Sequence, residues 1–339
     1  MTPHRNTTLL RDHPHPSPAP EPAAGPARPG SGPSERLPDP RPTAVAPGVA
    51  EPRPADDAPR AAAPERAAGA PCAADGAVGR LVERVLAGAY GLDPAAERVA
   101  VAFATSQAVR HDGRSGGYRN EVLSLRVGKA VGSCAVEPGQ LPPLEEYVGA
   151  TVAELLARPV PQPVRIAALD AFLALARPHT PANGARDVPV PGGSSIERSR
   201  ARAAAVVGLV PATARRVLVV GVVNSLLECL RERGTAYAPC DLKGGRTEWG
   251  EEVHRDAVAE LADCDAMLVS GMTLGNGSFE TFAAHARRTA TPLVMFAQTG
   301  SAVLPQLLHE GVTAVSAEPY PFFWLDGNPG TIHLYGGPR

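Results

Sequence analysis

Four places in the second half of the chain combine residue types that hold anions or sugars: Gly221-Val-Val-Asn224, the acid Asp241, Ser270-Gly-Met-Thr-Leu-Gly-Asn-Gly-Ser278 and Gln298-Thr-Gly-Ser301. Small polar residues at the start of a helix leave backbone N–H groups exposed, and the helix dipole favours a negative group there. On that chemistry the candidate ligand-binding residues are Gly221, Asn224, Asp241, Ser270, Gly271, Thr273, Asn276, Gly277, Thr299, Gly300 and Ser301. Asp241 stands twenty residues past Gly221, where an acid would hydrogen-bond a ribose hydroxyl of an adenosyl or nucleotide ligand. The dinucleotide fingerprint is not met. G-x-G-x-x-G needs three glycines, whereas Gly-Val-Val-Asn-Ser-Leu has one, and Val222 and Val223 obstruct a pyrophosphate. NAD is disfavoured, while S-adenosylmethionine, a single phosphate or a carboxylate fits. The plainer reading, in which these are turn and cap residues only, stays open.

Metal chemistry needs thiolates, imidazoles or carboxylates converging on one point. Cys134 in Gly-Ser-Cys and Cys240 beside Asp241 are the candidate ligands for a transition metal, against the simpler view of each as a small buried hydrophobe. Glu137, Glu145 and Glu146 could add oxygen ligands or form a solvated face. His254, His285 and His309 fall on expected helices and read as surface residues. His4, His13 and His15 lie in a low-complexity tail, where solvated sequence is a simpler reading than a metal-binding segment. No zinc-type CxxC pair, Ser-His-Asp arrangement or nucleophile elbow can be read, so no catalytic residue is assigned.

The elements that would position these residues follow from apolar patterning. Arg216–Asn224 begins as an unbroken apolar run and stops at a glycine, which predicts a strand buried on both faces. A helix from Ser225 closed by Gly234, a strand over 235–241, a helix near 251–262 and a strand over 265–271 follow. Helix 278–288, strand 292–297, helix 301–310 and strand 313–317 repeat the unit. Alternating βα units with short connections predict an α/β fold, a Rossmann-like doubly wound parallel sheet of about five strands. Ligands of such sheets bind beyond the carboxyl ends of the strands, which is where the four polar runs fall.

Upstream, a helix around Leu81–Ala89, strands over 98–109, 122–128 and 131–136, and helices over 148–157 and 164–176 predict a small α+β domain. The segment 178–199 is rich in proline and glycine and reads as a linker. Residues 1 to 76 carry 18 of the 37 prolines with almost nothing to bury, a composition that predicts disorder. The expected organisation is a tail over 1–76, the α+β domain over 77–180, a linker over 181–200 and the Rossmann-like domain over 201–339. That domain would end in an aromatic hairpin around Asp326-Gly327, because five of fifteen aromatics fall between 320 and 335. This arm could cap a cleft, form a homodimer contact or, more simply, cover the sheet edge.

The order of these parts resembles a two-domain family with an enolase N-terminal-like domain fused to a Rossmann-like "putative heavy-metal chelation" domain. The resemblance rests on Gly132-Ser-Cys-Ala-Val-Glu, Tyr147-Val-Gly-Ala-Thr-Val-Ala-Glu-Leu, Val164-Arg-Ile-Ala-Ala-Leu-Asp-Ala-Phe, Val217-Leu-Val-Val-Gly and Ser270-Gly-Met-Thr-Leu-Gly-Asn-Gly-Ser. It spans roughly residues 77–318 and implies a metal-related function without placing ligands on particular residues.

A net charge of −2 and 4% aromatics argue against nucleic acid and anionic membranes as partners. Five scattered cysteines, no apolar run of spanning length and no signal-peptide core predict a cytoplasmic protein with reduced thiols. The expected function is binding of a small molecule or metal complex in an inter-domain crevice at the strand ends. The alternatives are an enzyme using an adenosyl-type cofactor in the same crevice, or a non-catalytic partner subunit.

Overall fold

The computed structural model describes residues 76–110 and 117–337. Expectations for the tail, Gly76 apart, and for most of the glycine-rich loop 111–118 lie outside the described residues.

The described residues open with α1 (Ala77–Leu86), then β1 (Val99–Arg110), β2 (Gly117–Val127) and β3 (Ala130–Val136), the three strands pairing antiparallel in that order. Two helices follow: α2 (Val152–Ala157), started by a capping box between Thr151 and Glu154, packs on α1 and α3, and α3 (Gln162–Ala176) packs on β2 and β3. Every residue of α3 from Val164 to Phe172 is buried, so this helix is enclosed on all sides, as its nearly continuous apolar sequence demands. Burying Ile166, Leu169, Phe172 and Leu173 contributes about 1.5–3 kcal/mol each before entropic costs. The close approach of α3 to β3 requires Gly132: a Cβ there would lie 1.9 Å from the Ala171 nitrogen.

Next come β4 (Arg186–Val190), α4 (Ser195–Val207), β5 (Arg216–Val220), α5 (Asn224–Glu232) and β6 (Ala236–Cys240). A two-residue ribbon of β7 (Gly245–Arg246) and β8 (Glu252–Val253) precedes β9 (Ala266–Ser270). After α6 (Met272–Gly275) and α7 (Phe279–Thr289) the chain ends in β10 (Leu293–Ala297), β11 (Ala314–Ala317) and β12 (Gly330–Gly336). The large sheet has the order β4-β12-β11-β10-β9-β5-β6. Its five strands from β11 to β6 are parallel, as expected, while β12 pairs antiparallel with β11, and β4 pairs antiparallel with β12 and so points the same way as the five. From β5 the chain winds outward to β6 and then returns to the other side at β9, so the winding reverses between β5 and β9.

Side chains alternate across this sheet. Val217, Val219, Leu268, Val294 and Phe296 pack under α4 and α5. Leu218, Met267, Val269, Leu293, Met295 and Ala297 face the opposite way, into a core shared with α1, α3, α7 and the small sheet.

Four segments differ from the sequence expectation. Residues 251–262 are not a helix: the His254 N–H donates to the Pro239 carbonyl and the Asp241 N–H to the His254 carbonyl, which draws the segment into strand-like pairing beside β6. Asp256 then accepts from the Val258 and Ala259 N–H groups and turns the chain. Residues 301–310 form only a short 3₁₀ turn, Leu304–Leu307, because Pro305 lacks an N–H and His309 takes a positive φ of 76°. Residues 181–200, expected as a linker, supply β4 and the first turns of α4, whose start is set by a capping box between Ser194 and Glu197. Residues 320–335 do not form a hairpin of their own. Only the second arm is a strand, β12, and it covers the β11 edge while Asp326-Gly327 lies in a turn. His285 also departs from its expected surface position and is buried on α7.

Candidate functional site

At the carboxyl ends of β5 and β6 the chain makes a tight, internally tied loop. Gly221 has φ +86°, and a Cβ on it would come within 2.7 Å of Ser270 Cβ, so only glycine fits without strain. The Asp241 carboxylate accepts from the Val222 N–H at 3.3 Å and the Lys243 N–H at 3.0 Å, which fixes the loop after β5 against the end of β6. Asn224 opens α5, and its Oδ1 is buried with no hydrogen-bond donor among the described residues. An unmatched buried acceptor costs about 1–3 kcal/mol.

The loops after β9 and β10 are held differently. Ser270 Oγ accepts from the Met272 N–H, and Thr273 Oγ1 donates to the Ser270 carbonyl at 2.7 Å. Gly271 lies so near the next loop that a Cβ would sit 2.5 Å from the Thr299 carbonyl oxygen. Asn276 Oδ1 accepts from the N–H and hydroxyl of Ser278, and Gly277 turns with φ +78°. Thr299 and Ser301 are buried, and the Gly300 N–H donates to the Ser133 carbonyl at 2.8 Å. The acceptor at the start of this turn is the protein's own. Asp170 of α3, fully buried, accepts from the N–H groups of Ser133 at 2.8 Å, Ala302 at 2.7 Å and Val303. Burial pushes its carboxyl up to about 7, against the three backbone donors that favour the charged form. The loops 270–278 and 299–301 are therefore brought together against α3 and β3, while Gly221, Asn224 and Asp241 lie on the other side of the winding reversal.

A third group completes the strand ends. Arg198 and Arg202, one turn apart on α4, are 1% and 3% exposed. Arg202 Nε donates to both oxygens of Glu318 at 2.7 and 2.8 Å, just beyond β11. Glu318, itself buried, also accepts from Gln298 Nε2 at 3.1 Å and the Ser316 hydroxyl at 3.4 Å. Burial raises its pKa, and Arg202 opposes the rise. The Arg202 guanidinium lies 5.5 Å from the Phe296 ring centre and 5.9 Å from that of Phe323. Its Nη1 and Nη2 make no hydrogen bond among the described residues and are not among the fully buried unmatched atoms, so they reach solvent. Arg198 bonds the Asp326 carbonyl and approaches its carboxylate at 3.4 Å, while its buried Nε has no partner. Trp324 stacks edge-on with Phe323 and donates to Gln107 of β1 at 3.1 Å, and Tyr320 packs on Phe103 of the same strand. The aromatic segment 320–324 thus bridges the small sheet and the strand ends.

None of Asp170, Arg198, Arg202 and Glu318 is among the residues expected from sequence. One signal could have found the arginines: the apolar stripe Ala203, Val206, Val207, extended back by helical spacing, lands on Arg198, Ser199 and Arg202.

The candidate metal ligands lie apart from this cluster. Cys134 is enclosed beside Gly275, and burial holds its thiol far above the ordinary range. The Cys240 thiol, also buried, is pushed up to about 12. Among the described residues no three His, Cys, Asp or Glu side chains are grouped to hold a metal ion. Of two surface hollows, one lies by the amino ends of β10 and β11 and the other, lined by His254, Asp256 and Glu260, flanks β6. No helix among the described residues is long and apolar enough to cross a membrane.

Residues 204–317 match the DUF364 family, described as "Putative heavy-metal chelation". Among solved structures, a DUF364 protein of unknown function from Desulfitobacterium hafniense is 13% identical, with 70% of this chain and 86% of that chain covered and a TM-score of 0.44. A DUF364 protein of unknown function from Pyrococcus horikoshii is 14% identical over 70% and 86%, with a TM-score of 0.42. A mandelate racemase/muconate lactonizing enzyme from Roseiflexus is 12% identical over 63% and 85%, with a TM-score of 0.30. No curated protein matches the chain.

Proposed function

We propose that this protein binds a small molecule or metal complex at the carboxyl ends of its parallel strands, beneath the aromatic segment 320–324. The observation that carries the reading is the buried Asn224 Oδ1, unmatched at the first residue of α5 where the sheet winding reverses. That is the position at which open α/β sheets take their ligands. The family match over residues 204–317 supports a metal-related ligand. The donor chemistry favours a metal arriving already chelated, since among the described residues no three His, Cys, Asp or Glu side chains are grouped to hold a bare ion. Recognition would then fall on the organic shell of the complex, through hydrogen bonds and charge.

The second reading, an enzyme using an adenosyl-type cofactor, draws on Asp241, which stands at the end of β6 where a ribose would lie. Its carboxylate already accepts two backbone N–H groups, so a sugar would share it with the loop.

The test combines metal analysis of the purified full chain with a thermal-shift screen. The set would hold iron(III), copper(II) and nickel(II) citrate, free citrate, S-adenosylmethionine and ATP. A metal citrate that raises the melting temperature in wild type but not in Asn224→Ala supports the reading. Stabilisation by S-adenosylmethionine alone, lost in Asp241→Ala, would replace it with the enzyme reading.

A further inference from the structure

We infer that Arg202 receives an oxyanion, carboxylate or phosphate, of the ligand proposed above, through the Nη edge that the protein leaves unpaired between Phe296 and Phe323. The inference deepens the strand-end reading and rests on it.

A purely structural role for Arg202 accounts for only part of its geometry. Glu318 is satisfied by Nε of Arg202 together with Gln298 and Ser316. This leaves the two Nη nitrogens of a 3% exposed side chain without a protein acceptor. Neither Nη is among the fully buried unmatched atoms, so the guanidinium, otherwise enclosed, keeps its fork open to an acceptor that is not part of the chain. The fork geometry selects the acceptor, because two parallel N–H groups fit the two oxygens of a carboxylate or phosphate. The rings of Phe296 and Phe323 take the neighbourhood of the guanidinium and direct ligands to its edge.

Local charge agrees. Arg198 and Arg202 are both nearly enclosed, but among the described residues the only buried carboxylate paired with them is Glu318, since the Asp326 side chain is 61% exposed. A second anion would balance the pair. The unmatched Asn224 Oδ1 at the same end of the sheet would accept from a hydroxyl on the same ligand. Hydroxycarboxylates carry both groups, and inorganic phosphate carries the oxyanion.

The test is calorimetric titration of the full chain with citrate, iron(III) citrate and inorganic phosphate. Four proteins are compared: wild type, Arg202→Lys, Asn224→Ala and the double variant Arg202→Met/Glu318→Gln. Lysine keeps a charge for Glu318 but loses the fork, and the double variant removes both charges at similar volume so that no buried carboxylate is stranded. We expect saturable binding of citrate or phosphate by wild type and at least about tenfold weaker binding by Arg202→Lys. The double variant should melt cooperatively and bind neither anion. Failure of wild type to bind either anion, or equal binding by Arg202→Lys, overturns the assignment. If iron(III) citrate binds wild type and Arg202→Lys equally but Asn224→Ala weakly, the Arg202 assignment falls and the strand-end reading stands. If free anions bind through Arg202 while no metal complex binds, the assignment stands and the metal-complex reading falls.

Discussion

Asp170→Asn tests whether burial or hydrogen bonding governs the carboxyl that joins α3 to the strand-end loops. Asp170 accepts three backbone N–H groups, from Ser133, Ala302 and Val303, in a fully buried position. Its pKa is nonetheless raised from 3.8 to about 7, so desolvation outweighs the three donors. A group whose folded pKa is raised adds stability that is fully present below the unfolded pKa and is lost as pH rises through the folded one. The span is about three pH units at about 1.4 kcal/mol each, so wild type should lose about 4 kcal/mol on this account between pH 4 and pH 8. Asparagine does not titrate and shows no such loss. His179 acts in the opposite direction: burial lowers its pKa to about 4, so its contribution is complete above 6.5 and lost as pH falls toward 4. The informative quantity is therefore the wild-type minus Asp170→Asn difference in unfolding free energy, from urea titrations at several pH values, in which His179 cancels. The difference should shrink or reverse from pH 4 to pH 8. A difference that grows with pH would mean that the three N–H groups hold Asp170 as a carboxylate, and the desolvation argument would be wrong.

Two further outcomes follow from the packing. Gly221→Ala should lower stability by about 1–3 kcal/mol, because φ is +86° and the added Cβ meets Ser270 at 2.7 Å; an unchanged urea midpoint would mean that the loop can relax. Alkylation at pH 8 read by mass spectrometry should leave Cys134 and Cys240 unmodified until denaturant is added, with the half-buried Cys229 reacting earlier. Rapid labelling of Cys240 in the folded chain would contradict its burial.

The parallel sheet was legible because Val217–Val220, Ala266–Ser270 and Leu293–Ala297 are short apolar runs ending in small or polar residues, which suits strands buried on both faces. The loop residues at their ends were legible for the same reason. What could not be read locally was which polar groups the fold joins. Asp170 meets Ala302 across 132 positions, and Arg202 meets Glu318 across 116. In sequence Asp170 interrupts an apolar helix and the two arginines resemble surface cations. The 251–262 helix failed because backbone pairing of His254 with Pro239 and Asp241 outweighs local helical preference. The sequence likewise could not show that Asp170 meets backbone N–H groups at Ala302 and Val303, at the start of the turn after β10.

The central claim is that the ligand lies under residues 320–324, and Trp324 can report on it directly. The chain has two tryptophans, Trp249 and Trp324, so Trp249→Phe leaves Trp324 as the sole indole emitter, packed on Phe323 and bonded to Gln107. Trp324 emission would be titrated with whichever screened compound raises the melting temperature. The account predicts a saturable change in intensity or wavelength whose midpoint matches the calorimetric affinity. A compound that stabilises the protein and binds with measurable heat, yet leaves Trp324 emission unchanged, binds elsewhere and contradicts the strand-end site.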